Sequence, residues 1–198
     1  MRYFGDRWTA DDQAMSIGGP IERVVTYMAQ RTGADPGHVA RILVSEIEHR
    51  ADTSAADWMP GARELLITAR DSGIPVAIVS NSWRVLVDLF TANIDTPVDL
   101  IVSSTEVTPP KPDPQPYLHA CAALGVTVEN CVVVEDSPTG VAAGLASGAA
   151  VLGVGAAVRS LDGPRYRHVD SLADVSVAWL GEFVHSSFGG DGGEDAHP

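Results

Sequence analysis

Three short stretches of this 198-residue chain place reactive side chains directly after apolar or stiff segments. Ser80-Asn81-Ser82 follows the run Ile74-Pro75-Val76-Ala77-Ile78-Val79. Lys111 stands inside Pro109-Pro110-Lys111-Pro112-Asp113-Pro114, and Glu135-Asp136-Ser137 follows Val132-Val133-Val134. A hydroxyl with main-chain N–H groups at a helix start binds an anion. Ser80 offers the hydroxyl, and the Asn81 and Ser82 amides are expected to begin the next helix; a simple N-cap serine is the other reading. A lysine is a compact positive charge suited to gripping a phosphoryl oxygen, and flanking prolines lower the entropy lost in holding its loop. Adjacent carboxylates repel, and Mg²⁺ relieves that repulsion while preferring oxygen ligands. The same stretch also reads as an acidic helix start, with Ser137 as N-cap and Pro138 at the first helical position. Together the three stretches suit a phosphoryl group neutralised by Lys111 and Mg²⁺ while a nucleophile attacks in line.

Composition sharpens the reading of Lys111. The 13 basic residues are 12 arginines and this one lysine. A chain that disfavours lysine so strongly gives weight to the one it keeps, against the alternative of a chance surface residue. The net charge is −13 with an isoelectric point near 4.6. Such a surface repels a phosphate backbone and excludes nucleic acid as a partner, while a local site can still hold a small phosphorylated metabolite. Cys121 and Cys131 sit among apolar residues and are expected as buried small side chains without a disulfide. The six histidines show no paired ligand spacing, so a histidine zinc site is not expected. No window approaches ~18 consecutive apolar residues, and no apolar signal core follows a basic head. No membrane partner, a cytoplasmic location and, by default, a monomer are expected.

The elements that must position these residues alternate. Residues from about 8 to 50 read as a helical bundle. Ile21 to Gln30 carries Val24, Val25 and Met28 on one face and stops at Gly33; Asp35-Pro36 starts a second helix with Val39, Ile42, Leu43 and Ile47. Pro60-Gly61 opens a helix with Leu65, Leu66 and Ala69 inward, closed by Gly73. Ile74 to Val79 then reads as a strand buried on both faces. Helix is expected over 83–90, 117–124 and 141–146, with strand over 98–102, 131–134 and 149–154. Gly125 and Gly148 stand as helix stops. This order implies right-handed crossovers and a doubly wound parallel sheet of the α/β class, whose ligands lie at the carboxyl ends of the strands. Residues 189–198, rich in Gly and acid, read as a disordered tail.

The stretches IPVAIVSNS (74–82), PPKPDPQPYLHACAALGV (109–126) and CVVVEDSPTGVAAGLASGA (131–149) resemble the haloacid dehalogenase (HAD) superfamily. The branch is the one similar to beta-phosphoglucomutase and phosphoglycolate phosphatase. Order and spacing match that family's second, third and fourth motifs, over about residues 60 to 154. A weaker resemblance over 8–58 looks like the helical cap of this branch, with Gly18 in the expected substrate-facing loop. The resemblance implies a Mg²⁺-dependent phosphatase acting on a small phosphate monoester, a sugar phosphate or phosphoglycolate-like compound, through an aspartyl-phosphate. Ser80, helped by Asn81, would bind the phosphoryl group. Lys111 would bridge that group and the nucleophile. Asp136 would ligate Mg²⁺, and Glu135 would support the metal shell.

The family's first motif, a strand ending in Asp-x-Asp with the nucleophile, is not found. Asp6, Asp11 and Asp12 follow no apolar strand. In the family that strand lies between those ending at Val79 and Val134. Without it, neighbours ~4.8 Å apart become half-sheets roughly 9.6 Å apart, too far for main-chain hydrogen bonds and with two exposed edges. The chain as written is therefore expected to be inactive, through either a misplaced start or a true truncation. The expected organisation is a partial cap over 1–58, a HAD-like core over 59–186 and a tail from 187. The competing functions are a non-catalytic relative that grips phosphate or metal, a sugar-phosphate mutase and a receiver-type signalling domain. The helical insert and the Glu-Asp-Ser-Pro order speak against the last.

Overall fold

The computed structural model describes residues 9, 11, 12, 20–53, 58–92, 94 and 98–188, with the side chains of 50–53 excluded. Gly18, Asp6 and the segment 189–198 lie outside the described residues.

Helices α1 (Ile21–Thr32) and α2 (Pro36–Thr53) pack against each other early in the chain. Val24, Val25, Met28 and Ala29 of α1 bury against Val39 of α2. As expected from Asp35-Pro36, the Asp35 carboxylate accepts the His38 N–H at 2.9 Å and caps α2. Asp12 is buried beside α1. Its carboxylate accepts from the Thr9 N–H and hydroxyl, from Tyr27 Oη at 2.5 Å and from Arg31 Nε at 3.0 Å. Asp12 is thus an anchor of the helical region, and Asp11 is exposed in the same short helical stretch.

The rest alternates strand and helix. In order come α3 (Ala62–Asp71), β1 (Ala77–Val79), α4 (Arg84–Thr91), β2 (Leu100–Val102), α5 (Gln115–Leu124), β3 (Val132–Glu135), α6 (Pro138–Ser147), β4 (Ala150–Val154), β5 (Tyr166–Val169) and α7 (Val177–Phe188). Among the described residues every strand pairing is parallel, so the α/β class with parallel strands holds. The strands form two sheets. β1 pairs with β2 at Ala77–Leu100, while β3 pairs with β4 at Val132–Ala150 and β4 with β5 at Val151–Tyr166. β1 and β3 face each other across a cavity of about 580 Å³ and exchange no ladder hydrogen bonds. Ala77, Val79, Val132 and Val134 line this slot, closed below by α3, α5 and α7.

Several expected elements change shape because of that slot. The segment 74–79 is a three-residue strand, half-buried throughout, and Ile74 is exposed. Pro75 has no N–H to donate, and one edge of β1 meets open space. Leu65, Leu66 and Ala69 of α3 are likewise only half-buried, since they also border the slot. β2 begins two residues later than expected. The Asp99 carboxylate accepts the Val76 N–H at 2.8 Å, so a side chain replaces the next ladder bond.

The deepest core lies around β4, whose five residues are all buried. Val133, Val141, Ala143 and Val151 pack on one side with Tyr117; Leu152, Val154 and Phe183 pack on the other. β5 and α7 were not anticipated from the sequence. α7 runs to Phe188, two residues past the expected core boundary at 186.

Candidate active site

The site grows from the carboxyl ends of β1 and β3. β1 delivers Ser80. Its N–H donates to the Val102 carbonyl at 2.8 Å, continuing the pairing with β2. The Ser80 hydroxyl accepts the Ser82 N–H at 3.1 Å, which leaves its own proton to donate elsewhere. α4 begins only at Arg84, so the Asn81 and Ser82 amides do not start a helix as expected; they belong to a turn. The Ser82 carbonyl accepts from both Ser104 N–H and Ser104 Oγ at 3.1 Å, which ties this turn to the segment after β2.

Asn81 reaches across to the Lys111 loop. Its Oδ1 accepts the Lys111 N–H and its Nδ2 donates to the Lys111 carbonyl, both at 3.0 Å. This two-point clasp fixes a loop that has no regular structure. The Asn81 side chain is therefore occupied in holding Lys111.

The Lys111 ammonium is buried at the mouth of the slot. It donates to the Val79 carbonyl at 2.8 Å and to Glu135 Oε1 at 2.5 Å, and it lies 4.7 Å from the Tyr117 ring centre. A cation over an aromatic face gains from the ring quadrupole. Lys111 thus bridges β1 and β3, the strands that no main-chain bond connects.

Glu135 is saturated. Oε1 accepts from Lys111 and from Tyr117 Oη at 2.6 Å; Oε2 accepts from Ser137 Oγ at 3.0 Å and from the Ser137 N–H at 3.3 Å. Burial pushes the Glu135 carboxyl up, but the Lys111 charge and the hydrogen bonds from Lys111, Tyr117 and Ser137 outweigh it, and the net shift is down. Burial, and then Glu135 itself, drive the Tyr117 hydroxyl well above its ordinary range, so it stays a donor. Ser137 also caps α6, its Oγ accepting the Gly140 N–H at 3.0 Å. Gly140 is needed for close approach, since a Cβ there would overlap the Glu135 carboxylate.

Asp136 is exposed and, among the described residues, forms no hydrogen bond or ion pair. The structure therefore brings Ser80, Asn81, Lys111, Glu135 and the Asp136 backbone to one rim. It divides the acidic pair into one committed carboxylate and one open one. Tyr117 and Ser137 are members of this rim that sequence reasoning left out. The sequence marks Ser137 only as a cap. Tyr117 sits six residues beyond Lys111, and its role depends on β3 lying beside α5.

Lys111, Glu135 and Asp136 together carry one positive and two negative charges. A bound phosphate would add more negative charge, which a further cation would offset. Mg²⁺ commonly takes one or two carboxylates and completes its shell with water and phosphate oxygens. The open Asp136 fits that pattern as a ligand. Glu135, with both oxygens spent, fits as the brace that holds the loop. Among the described residues no group of three or more His, Cys, Asp or Glu converges on a metal position.

A parallel α/β scaffold with serine, lysine and an acidic pair at its strand ends defines a phosphoryl-handling class of protein. The family model described as haloacid dehalogenase-like hydrolase matches residues 1–154, and the chain belongs to that family. Within it, the similarities fall in the branch of beta-phosphoglucomutase and phosphoglycolate phosphatase. Hexitol phosphatase A of Escherichia coli (strain K12) is 35% identical over 159 residues, which cover 76% of this chain and 70% of that protein. Beta-phosphoglucomutase of Mycobacterium tuberculosis (strain CDC 1551 / Oshkosh) is 34% identical over 134 residues, covering 65% of this chain and 50% of that one. The crystal structure of CbbY from Rhodobacter sphaeroides in complex with phosphate superposes with a TM-score of 0.76 at 20% identity, covering 89% of this chain and 84% of that chain. No helix among the described residues is long and apolar enough to cross a membrane.

Proposed function

We propose that this chain supplies the phosphate-binding half of a Mg²⁺-dependent phosphatase for a small phosphate monoester. The reading rests on one observation above the others: a buried Lys111 ammonium spans β1 and Glu135 at the end of an apolar slot between β1 and β3. Among the described residues no second carboxylate lines that slot. The nucleophilic aspartate would ride on an apolar strand seated between β1 and β3, ending beside Lys111. Its carboxylate oxygen attacks phosphorus and the bond to the leaving oxygen breaks. A second aspartate two residues on protonates the departing alcohol and then activates the water that hydrolyses the aspartyl-phosphate.

This chain's own residues hold the transferring group. Ser80 Oγ donates to a phosphoryl oxygen. Lys111 neutralises that group and the nucleophile together, and Asn81 positions Lys111. Mg²⁺, held through Asp136 with Glu135 bracing the loop, would offset phosphoryl charge. Residues before 58 would form a partial cap that selects substrate, and residues 59–186 the core. Likeness to hexitol phosphatase A favours a sugar or sugar-alcohol phosphate. Likeness to beta-phosphoglucomutase favours a mutase as the second reading.

The test is hydrolysis of an aryl phosphate with Mg²⁺. Residues 1–198 alone are expected to be inactive, and the same chain extended by an apolar strand ending in Asp-x-Asp is expected to turn over. In the active form, Lys111→Met should lower the rate about a hundredfold or more. Robust Mg²⁺-dependent turnover by residues 1–198 alone would overturn the nucleophile assignment. An extended chain that binds phosphate but never turns over would support a non-catalytic binding protein.

A further inference from the structure

Cys121 and Cys131 are the only cysteines in the chain, and both are half-buried rather than fully buried as expected. Their sulfurs lie 3.5 Å apart as free thiols. Both border the slot, Cys121 from α5 and Cys131 from the residue before β3. The backbone at each is fixed. The Cys121 carbonyl accepts the Val126 N–H at 3.0 Å, and the Cys131 N–H donates to Val128 at 3.1 Å. Gly125 makes the turn between them at φ 68°.

We propose that Cys121 and Cys131 are a modification site that closes to a reversible intramolecular disulfide when a small-molecule disulfide is supplied. A bonded pair needs sulfurs about 2.0 Å apart, a closure of roughly 1.5 Å that side-chain rotation can cover. The inference stands apart from the phosphatase reading.

The exchange balances with oxidised glutathione as the oxidant. The Cys121 thiolate attacks one glutathione sulfur, the glutathione S–S bond breaks, and one glutathione leaves and takes a proton. Cys131 then attacks the Cys121 sulfur of the mixed disulfide, and the second glutathione leaves. Two protein thiols are oxidised and one glutathione disulfide is reduced to two thiols. Burial, and then the neighbouring Cys121, push the Cys131 thiol up. The resolving step should therefore quicken as pH rises.

The experiment equilibrates the full chain in buffers of reduced and oxidised glutathione, native and in urea, and reads disulfide by intact mass and peptide mapping. The native chain should lose two hydrogens and yield a joined Cys121–Cys131 peptide. Its ratio of disulfide to dithiol should exceed that of the urea-unfolded chain by about tenfold or more, because the fold holds the thiols at high effective concentration. Cys131→Ser should stop at a glutathione adduct on Cys121. A native ratio no higher than the unfolded one overturns the proposal. So does a lasting glutathione adduct on the unmutated chain, or a disulfide that joins two chains.

Discussion

Lys111 and Glu135 form a buried ion pair, with side chains only 6% and 9% exposed. Removing one partner strands the other charge away from water. Lys111→Met is therefore expected to cost about 3–5 kcal/mol in urea unfolding. The double variant with Glu135→Leu should recover much of that loss, because no bare charge remains. Lys111→Arg should not serve, since a planar fork cannot replace a point donor between the Val79 carbonyl and Glu135. The importance of Lys111 was legible in the sequence, because it is the one lysine. Tyr117 was not, because an aromatic in the first turns of a helix reads equally well as core. A second residue-scale prediction concerns Asp12. Hydrogen bonds from Thr9, Tyr27 and Arg31 hold its carboxyl well below the ordinary value of 3.8. A lowered folded value means its contribution is complete above about pH 3.8 and drains away as the pH falls further. Asp12→Asn should thus flatten the acid limb of a plot of thermal midpoint against pH. An unchanged acid limb would show that the anchor does not act this way.

At the scale of elements, local chemistry was readable and pairing was not. Asp35-Pro36 and Ser137-Pro138 each start a helix where those residues demand it, and Gly125 and Gly148 end helices in the left-handed region. These signals act within four residues and need no partner. Strand ends depend on neighbours. That is why the apolar run 74–79 shrinks to three strand residues, and why β5, in a polar stretch, gave no clear pattern. The α6 start carries a test. Ser137→Ala removes a cap worth about 1 kcal/mol and also leaves Glu135 Oε2 with only the longer bond from the residue 137 N–H. The loss in chemical unfolding should therefore exceed that of an ordinary cap deletion. A loss of only a few tenths of a kcal/mol would mean that Glu135 does not depend on this hydroxyl.

Among the described residues the strands form two half-sheets, and α5 with Val79 packs against the hydrophobic clusters of both. The expectation of a divided sheet came from motif order, and the division is seen in the strand pairing. The closure of the slot from below by α7 was not legible, because a C-terminal amphipathic segment does not name the surface it covers. Val134 in β3 is 40% exposed, which is unusual for an apolar strand between acidic and buried neighbours. An open apolar slot should bind a fluorescent hydrophobic dye such as ANS. Seating a strand in it should abolish that signal and raise the thermal midpoint by several degrees. Dye binding that persists unchanged after the strand is added would place the apolar surface elsewhere.

The strand pairing has a further consequence for how solvent reaches the backbone. Among the described residues β4 alone is flanked on both sides by other strands, and all five of its residues are buried. β1 and β3 each have one flanked and one bare edge. Main-chain protons should therefore trade with deuterium in a graded order, quickest beside the slot and slowest in β4. The innermost strand of the three-stranded sheet becomes the clock against which every other opening of the chain is timed.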